Sequence, residues 1–192
     1  MNLKYLGDAL DFWKAAFLEI LRRSHRGRQA VKIVPMFTDD CWSPNARSTY
    51  VRLLGAKPSD LLATDPLRGR RSAYFDQIRN EDADVFLDPD TGVALTKATP
   101  KHVRPEEVHQ LLRLLSGSNV IAIYQHRPQG VPGRDWLRRY KKVLDGKRGM
   151  RIVGYYSAQV GMLFVTRSRE REERLRRALT RRLGVAAAKH LL

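Results

Sequence analysis

The chain has a single cysteine, Cys41, in 192 residues. That excludes a disulfide framework and a cysteine-built zinc module. It has no long apolar run; none approaches the roughly 20 residues that a membrane-crossing helix needs. Its N-terminus lacks a signal-peptide layout, because Asp8, Asp11, Lys14 and Glu19 interrupt the apolar residues. Acidic residues are scarce: 20 against 36 lysines and arginines, a net charge of +16 and an isoelectric point near 10.5. A balance so basic excludes an ordinary near-neutral protein and points to a polyanionic partner, RNA or DNA first. What the chain does have is 43% hydrophobic residues, enough to build a core and to exclude global disorder. The expectation is a soluble, cytoplasmic protein with no membrane partner.

The charge is unevenly placed. Residues 1–126 hold 18 basic and 15 acidic side chains, whereas residues 127–192 hold 18 and 5. One basic stretch carries Arg134, Arg138, Arg139, Lys141, Lys142, Lys147 and Arg148, with Trp136 and Tyr140 interleaved. Basic side chains contact phosphates and aromatic rings stack on bases, so Arg134 to Arg148, including Trp136, is the candidate nucleic-acid surface. The plainer alternative is a solvated helix face whose Trp136, Leu137 and Tyr140 enter the core. A second stretch, Ser168 to Arg182, reads as an amphipathic surface helix with Leu175, Leu179 and Leu183 on one stripe. Ser168 is its N-cap and Gly184 its C-cap, with Glu170–Arg174 and Glu173–Arg177 as i,i+4 pairs.

Elements alternate along the chain. A helix is predicted from about Asp8 to Arg23, a strand over Ala30 to Phe37 with Pro35 as its flaw, and a helix over Pro44 to Leu54 capped by Ser43. Leu61 to Ser72 is ambiguous, and Ala73 to Arg79 reads as helical. A short strand Asp84 to Leu87 ends in the turn Asp88-Pro89-Asp90-Thr91-Gly92. Pro105 opens a helix to Leu115. Asn119 to Tyr124 is a near-continuous apolar strand of the buried-sheet kind. A helix over Gly133 to Leu144 follows, then two strands, Met150 to Tyr156 and Gly161 to Thr166, in an antiparallel hairpin. This order predicts one α/β domain over residues 1–192, a mostly parallel Rossmann-like sheet flanked by helices, with 167–192 as a basic helical extension.

In open α/β sheets ligands bind outside the carboxyl ends of the strands. Those ends carry Asp39 and Asp40, then Asp88 and Asp90, then Gln125 and His126. If the three strands are neighbours, the six groups share one crevice. Asp39, Asp40, Asp88 and Asp90 are candidate ligands for a divalent Mg or Mn ion, which would activate water and neutralise a phosphodiester. Asp88, Asp90, Gln125 and His126 are the candidate catalytic groups, His126 as general base. The plainer alternatives are turn chemistry for Asp88 and Asp90 and a satisfied buried histidine for His126.

Three motifs carry a resemblance: Asp84-Val-Phe-Leu-Asp-Pro-Asp-Thr-Gly-Val93, the strand end Ile123-Tyr-Gln-His126, and Gly7, Asp8, Asp11, Phe12, Trp13 and Lys14 near the N-terminus. Together they are similar to an uncharacterised bacterial family with D-P-D-[NT]-G and Y-Q-H motifs, over most of residues 4–166. That family has no settled activity to transfer. The closing hairpin and Asp88-Pro89-Asp90 also resemble, more distantly, class I nucleic-acid methyltransferases of the D-P-P-[YF] type. The resemblance implies a methyltransferase-like scaffold and S-adenosylmethionine as cofactor. The second proline and the stacking aromatic of that motif are absent here, as is a glycine-rich loop after the first strand. The leading expectation is therefore a metal-dependent phosphodiesterase or nuclease. The alternatives are a degenerate methyltransferase and a non-catalytic RNA- or DNA-binding protein.

Overall fold

The computed structural model describes residues 3–25, 30–38, 41–67, 71–78, 82–128, 131, 135–145, 149–184 and 189–191. Asp39, Asp40, Arg134, Lys147 and Arg148 lie outside them. Six helices are described: α1 (Ala9–Arg23), α2 (Pro44–Leu53), α3 (Arg71–Asp76), α4 (Pro105–Leu114), α5 (Asp135–Asp145) and α6 (Arg169–Leu183). The strands are β1 (Val31–Val34), β2 (Asp84–Leu87), β3 (Gly92–Val93), β4 (His102–Val103), β5 (Val120–His126), β6 (Arg151–Tyr156) and β7 (Val160–Thr166).

The main sheet runs β1-β2-β5-β7-β6. β1, β2 and β5 pair in parallel. β7 is antiparallel to both β5 and β6, so β7 alone of the five runs against the rest. β1, β2 and β5 are thus direct neighbours, and Asp88, Asp90 and His126 stand at the ends of β2 and β5, whereas Asp39 and Asp40, expected at the end of the first strand, lie outside the described residues. β3 and β4 form a separate parallel pair that the sequence pattern did not show, since each is two residues long.

Strand alternation sorts the core onto two faces. Ile121 and Ile123 of β5 join Val85 and Leu87 of β2 under α3, α4 and α5. Val120, Ala122 and Tyr124 join Phe86 under α1, α2 and α6. Helices cover both faces, which is why these strands read as unbroken apolar runs rather than alternating ones.

β1 is shorter than its apolar run. It stops at Val34, because Pro35 has no N–H for the ladder and Met36 turns through the left-handed region at φ 49°. The Met36 N–H instead donates to Tyr74 Oη at 3.0 Å.

α5 corrects the expected aromatic surface. Trp136 is 0% exposed and Tyr140 is buried, both in the core against the sheet. A Cβ added at Gly161 would lie 2.6 Å from the Trp136 ring, so a glycine on β7 makes room for the indole. Trp136 is therefore not available to stack on a base. Arg138, Arg139 and Lys142 stay exposed and Lys141 is half-exposed, because positions between the apolar stripe face solvent. α6 behaves as its pattern predicts: Ser168 Oγ accepts the Arg171 N–H, and Leu175 and Leu179 are buried. Arg174 pairs with Glu170, while Glu173 pairs with Arg169. α5 and α6 lie on opposite faces of the sheet, so the two basic stretches form two surfaces.

Arg171 is the unexpected residue of α6. It is wholly buried, donates to Ser24 Oγ at 2.9 Å and pairs with the equally buried Asp84. Asp84 Oδ1 accepts the Val120 N–H at 2.8 Å. One carboxylate thus joins α6, β2 and β5. Burial pushes the Asp84 carboxyl up despite the Arg171 charge, and burial lowers Arg171.

Candidate functional site

A cavity of about 510 Å³ opens where β2 and β5 end, beneath the start of α1. Its wall takes Asp88, Pro89, Asp90 and Thr91 from the turn after β2, and Tyr124 and His126 from β5. Lys4, Tyr5, Asp8, Asp11 and Lys14 come from the N-terminal segment and α1, and Lys101 from the loop before β4. The three motifs singled out in the sequence therefore meet at one place. Parity explains the choice of side chains. Phe86 and Tyr124 face α1, so Asp88 and His126, two residues on, share that face.

The N-terminal motif first builds the helix start. Asp8 caps α1, its Oδ1 accepting from Leu10 N–H at 2.8 Å and Asp11 N–H at 3.2 Å. Gly7 adopts φ 83°, and its N–H donates to Asp11 Oδ2 at 2.8 Å. Asp11 Oδ1 then accepts from Lys14 Nζ at 3.1 Å. Lys14, one turn further, reaches across to Asp88 Oδ2 at 2.9 Å. The Tyr50 hydroxyl of α2 donates to the same oxygen at 2.6 Å. Lys14 Nζ also sits 4.6 Å from the centre of the Tyr124 ring, a cation–π contact.

The result is one buried ammonium between two buried carboxylates. Burial alone would lower Lys14, but the charges of Asp88 and Asp11 outweigh it and hold the ammonium above its usual range. Burial raises Asp11 more than Lys14 lowers it. Burial also raises the Tyr50 phenol, with Asp88 adding to the effect.

Tyr124 and His126 form the opposite wall. Tyr124 is 2% exposed, and its hydroxyl has no hydrogen-bond partner among the described residues. A buried unpaired hydroxyl costs about 1–3 kcal/mol. Burial raises its pKa, and Asp88, Asp8 and Asp11 add to the rise, so the group stays a phenol. The His126 ring packs edge-on to Tyr124 with centroids 4.9 Å apart. Burial lowers the His126 imidazole and the Lys14 charge lowers it further, against the pull of Asp88 and Asp90. The net lowering favours the neutral imidazole, the form that accepts a proton.

Gln125 is not part of this wall, which corrects its expected catalytic role. Its side chain is wholly buried on the other face of β5. Its Oε1 accepts the Val93 N–H at 2.7 Å, and its Nε2 donates to the carbonyls of Thr91 and His126 at 3.0 and 2.8 Å. Every polar function is used to tie the turn after β2 to β5. Gly92, at φ 116°, lies against this carboxamide, and a Cβ there would overlap Gln125 Oε1. Gly92→Ala is expected to dislodge the brace and lower stability by about 1–3 kcal/mol. A thermal melt unchanged from the parent would contradict the role given to Gln125.

Asp90 is half-buried, and its Oδ2 accepts from Thr38 Oγ1 at 2.7 Å. Asp88 lines the cavity as expected, but its Oδ2 is already shared by Lys14 and Tyr50. Among the described residues no three histidine, cysteine, aspartate or glutamate side chains are grouped to hold a metal ion. Lys14, Tyr50 and Tyr124 are site residues that sequence reasoning did not assign. Lys14 was visible within the N-terminal motif, whereas Tyr50 carried no signal before the helices were placed. No family model, curated protein or solved structure matches the chain. Among the described residues no helix is long and apolar enough to cross a membrane.

Proposed function

We propose that this protein acts on nucleic acid and holds one unpaired base in the cavity at the ends of β2 and β5. The observation that carries this reading is Tyr124, which lines the cavity and whose buried hydroxyl has no partner among the described residues. A base edge supplies the missing hydrogen-bond partner. The charge of the cavity favours the base over the phosphate. Lys14 is consumed by Asp11 and Asp88, and Asp8 and Asp90 stand on the same wall. The carboxylates would repel a phosphate there, whereas a neutral base carries no charge for them to repel. Neutral His126 is the group placed to take a proton from whatever reacts beside Tyr124.

The scaffold we propose is methyltransferase-like and Rossmann-like. Support comes from the antiparallel β7 lying between β5 and β6 and from Asp88-Pro89-Asp90 following an interior parallel strand. The residues after β1 do not fit S-adenosylmethionine. The chain leaves β1 through Pro35, Met36 and Phe37, all buried, and has no glycine before Ser43 to let a cofactor approach the backbone. A calorimetric titration with S-adenosylmethionine is expected to give no heat.

The test places 2-aminopurine, a base whose fluorescence rises when it leaves a stack, within a single-stranded oligonucleotide. A severalfold rise on adding the protein is expected, reduced in Tyr124→Phe. Binding with no change in emission would sink the reading.

A metal-dependent phosphodiesterase is the second reading, favoured by Asp88, Asp90 and His126 lining one cavity. It calls for a divalent ion to offset the carboxylates. Asp88 is engaged by Lys14 and Tyr50 and Asp90 by Thr38, so a metal would have to displace a partner from one of them. Mn²⁺-dependent cleavage of an oligonucleotide, abolished by Asp90→Ala, would support it; intact substrate at all metal concentrations would reject it.

A further inference from the structure

We infer that single-stranded nucleic acid enters the cavity over Tyr5, whose ring stacks on a base at the mouth. This rests on the base-in-cavity reading and adds the substrate form and the surface. Two large apolar side chains stand exposed among the described residues: Tyr5 at 54% and Phe12 at 59%. Only Tyr5 lines the cavity. The aromatics of α5, by contrast, are buried, so the exposed basic residues of that helix have no ring beside them. At the mouth the two kinds of group do coincide. Lys4 Nζ lies over one face of the Tyr5 ring, 4.7 Å from its centre, so a base stacks on the other face, and Lys101 lies on the same cavity wall.

An aromatic face beside ammonium groups is the chemistry of a single-strand platform. The ring stacks on any base, and the cations meet the backbone phosphates. The division of charge fits that arrangement. Both rim lysines are exposed, while the carboxylates Asp11 and Asp88 are buried behind them. Phosphates are held at the rim, and the base beyond them enters the cavity that Tyr124 lines. A base within a duplex presents no free face to Tyr5, so the duplex form is disfavoured.

The experiment is fluorescence anisotropy with a labelled deoxyadenosine dodecamer, single-stranded or annealed to its complement, on the parent protein, Tyr5→Ala and Phe12→Ala. Both substitutions are at exposed positions, and circular dichroism checks that each variant is folded. Tyr5→Ala is expected to weaken single-strand binding about tenfold with the same dependence on salt between about 50 and 200 mM. Phe12→Ala is expected to stay within about twofold, and the duplex to bind the parent more weakly than the single strand. Equal affinity of parent and Tyr5→Ala, an equal loss in both variants, or preference for the duplex overturns the inference. The 2-aminopurine emission separates the two claims. A rise that persists in Tyr5→Ala with unchanged affinity leaves the base in the cavity and removes Tyr5 from its mouth. Binding without any rise removes the cavity reading itself.

Discussion

Arg171→Met is expected to lower the unfolding free energy by about 3–5 kcal/mol, the usual consequence of stranding a buried charge. Arg171 and Asp84 are both wholly buried, and each is the other's ionic partner. Methionine fills much of the volume but leaves the Asp84 carboxylate without its cation and Ser24 Oγ without its donor. Burial already raises the Asp84 carboxyl in the native protein; without Arg171 it must take up a proton or drag in water. Urea denaturation at neutral pH measures the loss. A double variant, Arg171→Met with Asp84→Asn, separates charge from packing. Asparagine carries no charge and keeps an acceptor for the Val120 N–H, so the double variant is expected to be more stable than Arg171→Met alone. A single-variant loss below about 1 kcal/mol would mean the pair behaves as a surface salt bridge does.

The second large effect is at the cavity. Lys14→Met is expected to cost about 3–5 kcal/mol at neutral pH, because Asp11 and Asp88 are then two buried carboxylates with no cation between them. Here the pH dependence is diagnostic. The native Asp11 carboxyl is already raised above 3.8 by burial. A raised carboxyl favours the folded state when protonated, so its contribution is present below 3.8 and fades as pH rises through the folded value. Losing the Lys14 charge removes what holds the Asp11 carboxyl down and moves that fading upward. The variant's deficit is therefore expected to be largest near pH 8 and to shrink toward pH 5. Urea midpoints of parent and variant across that range give the comparison. A deficit independent of pH would show that Lys14 acts through packing alone. The same variant should also disturb binding, since Lys14 packs on the Tyr124 ring.

The cavity charge pattern bears on how a protein of net charge +16 handles its partner. On the proposed nucleic-acid reading, the long-range field would gather the polyanion, and the exposed Arg138, Arg139 and Lys142 of α5 would contribute to it. The cavity itself is not basic inside. Lys14 is spent on Asp11 and Asp88, so on that reading attraction at a distance and selection at the site would fall to different residues.

Much of this was legible in the sequence, and for identifiable reasons. Asp8 capping α1 and Ser168 capping α6 are local geometry, read from residue type and position. The apolar run at residues 119–124 announced a strand buried on both faces, and the adjacency of β1, β2 and β5 brought Asp88, Asp90 and His126 to one cavity. Gln125 was misplaced for want of one step. Side chains alternate along a strand, so a residue between Tyr124 and His126 points to the opposite face, away from the cavity. Trp136 was misplaced because interleaved charge and aromatics describe an amphipathic helix as well as a binding surface. Gly161 settles it by leaving space for the indole, and nothing within residues 134–148 reveals that. Lys14, Tyr50 and Arg171 were illegible as partners of Asp88 and Asp84. Their contacts span 74, 38 and 87 positions of the chain, and no local pattern encodes which distant acid a buried cation will meet.

By itself the sequence determined the periodicities, the helix starts, the strand ends and the sign of the far field, because these depend on residues within a turn or on simple sums of charge. Only the tertiary structure decided which carboxylates are neutralised, which aromatics are exposed and which hydroxyl is left without a partner. Those depend on what a side chain meets across the fold, and burial sets the energy of each meeting.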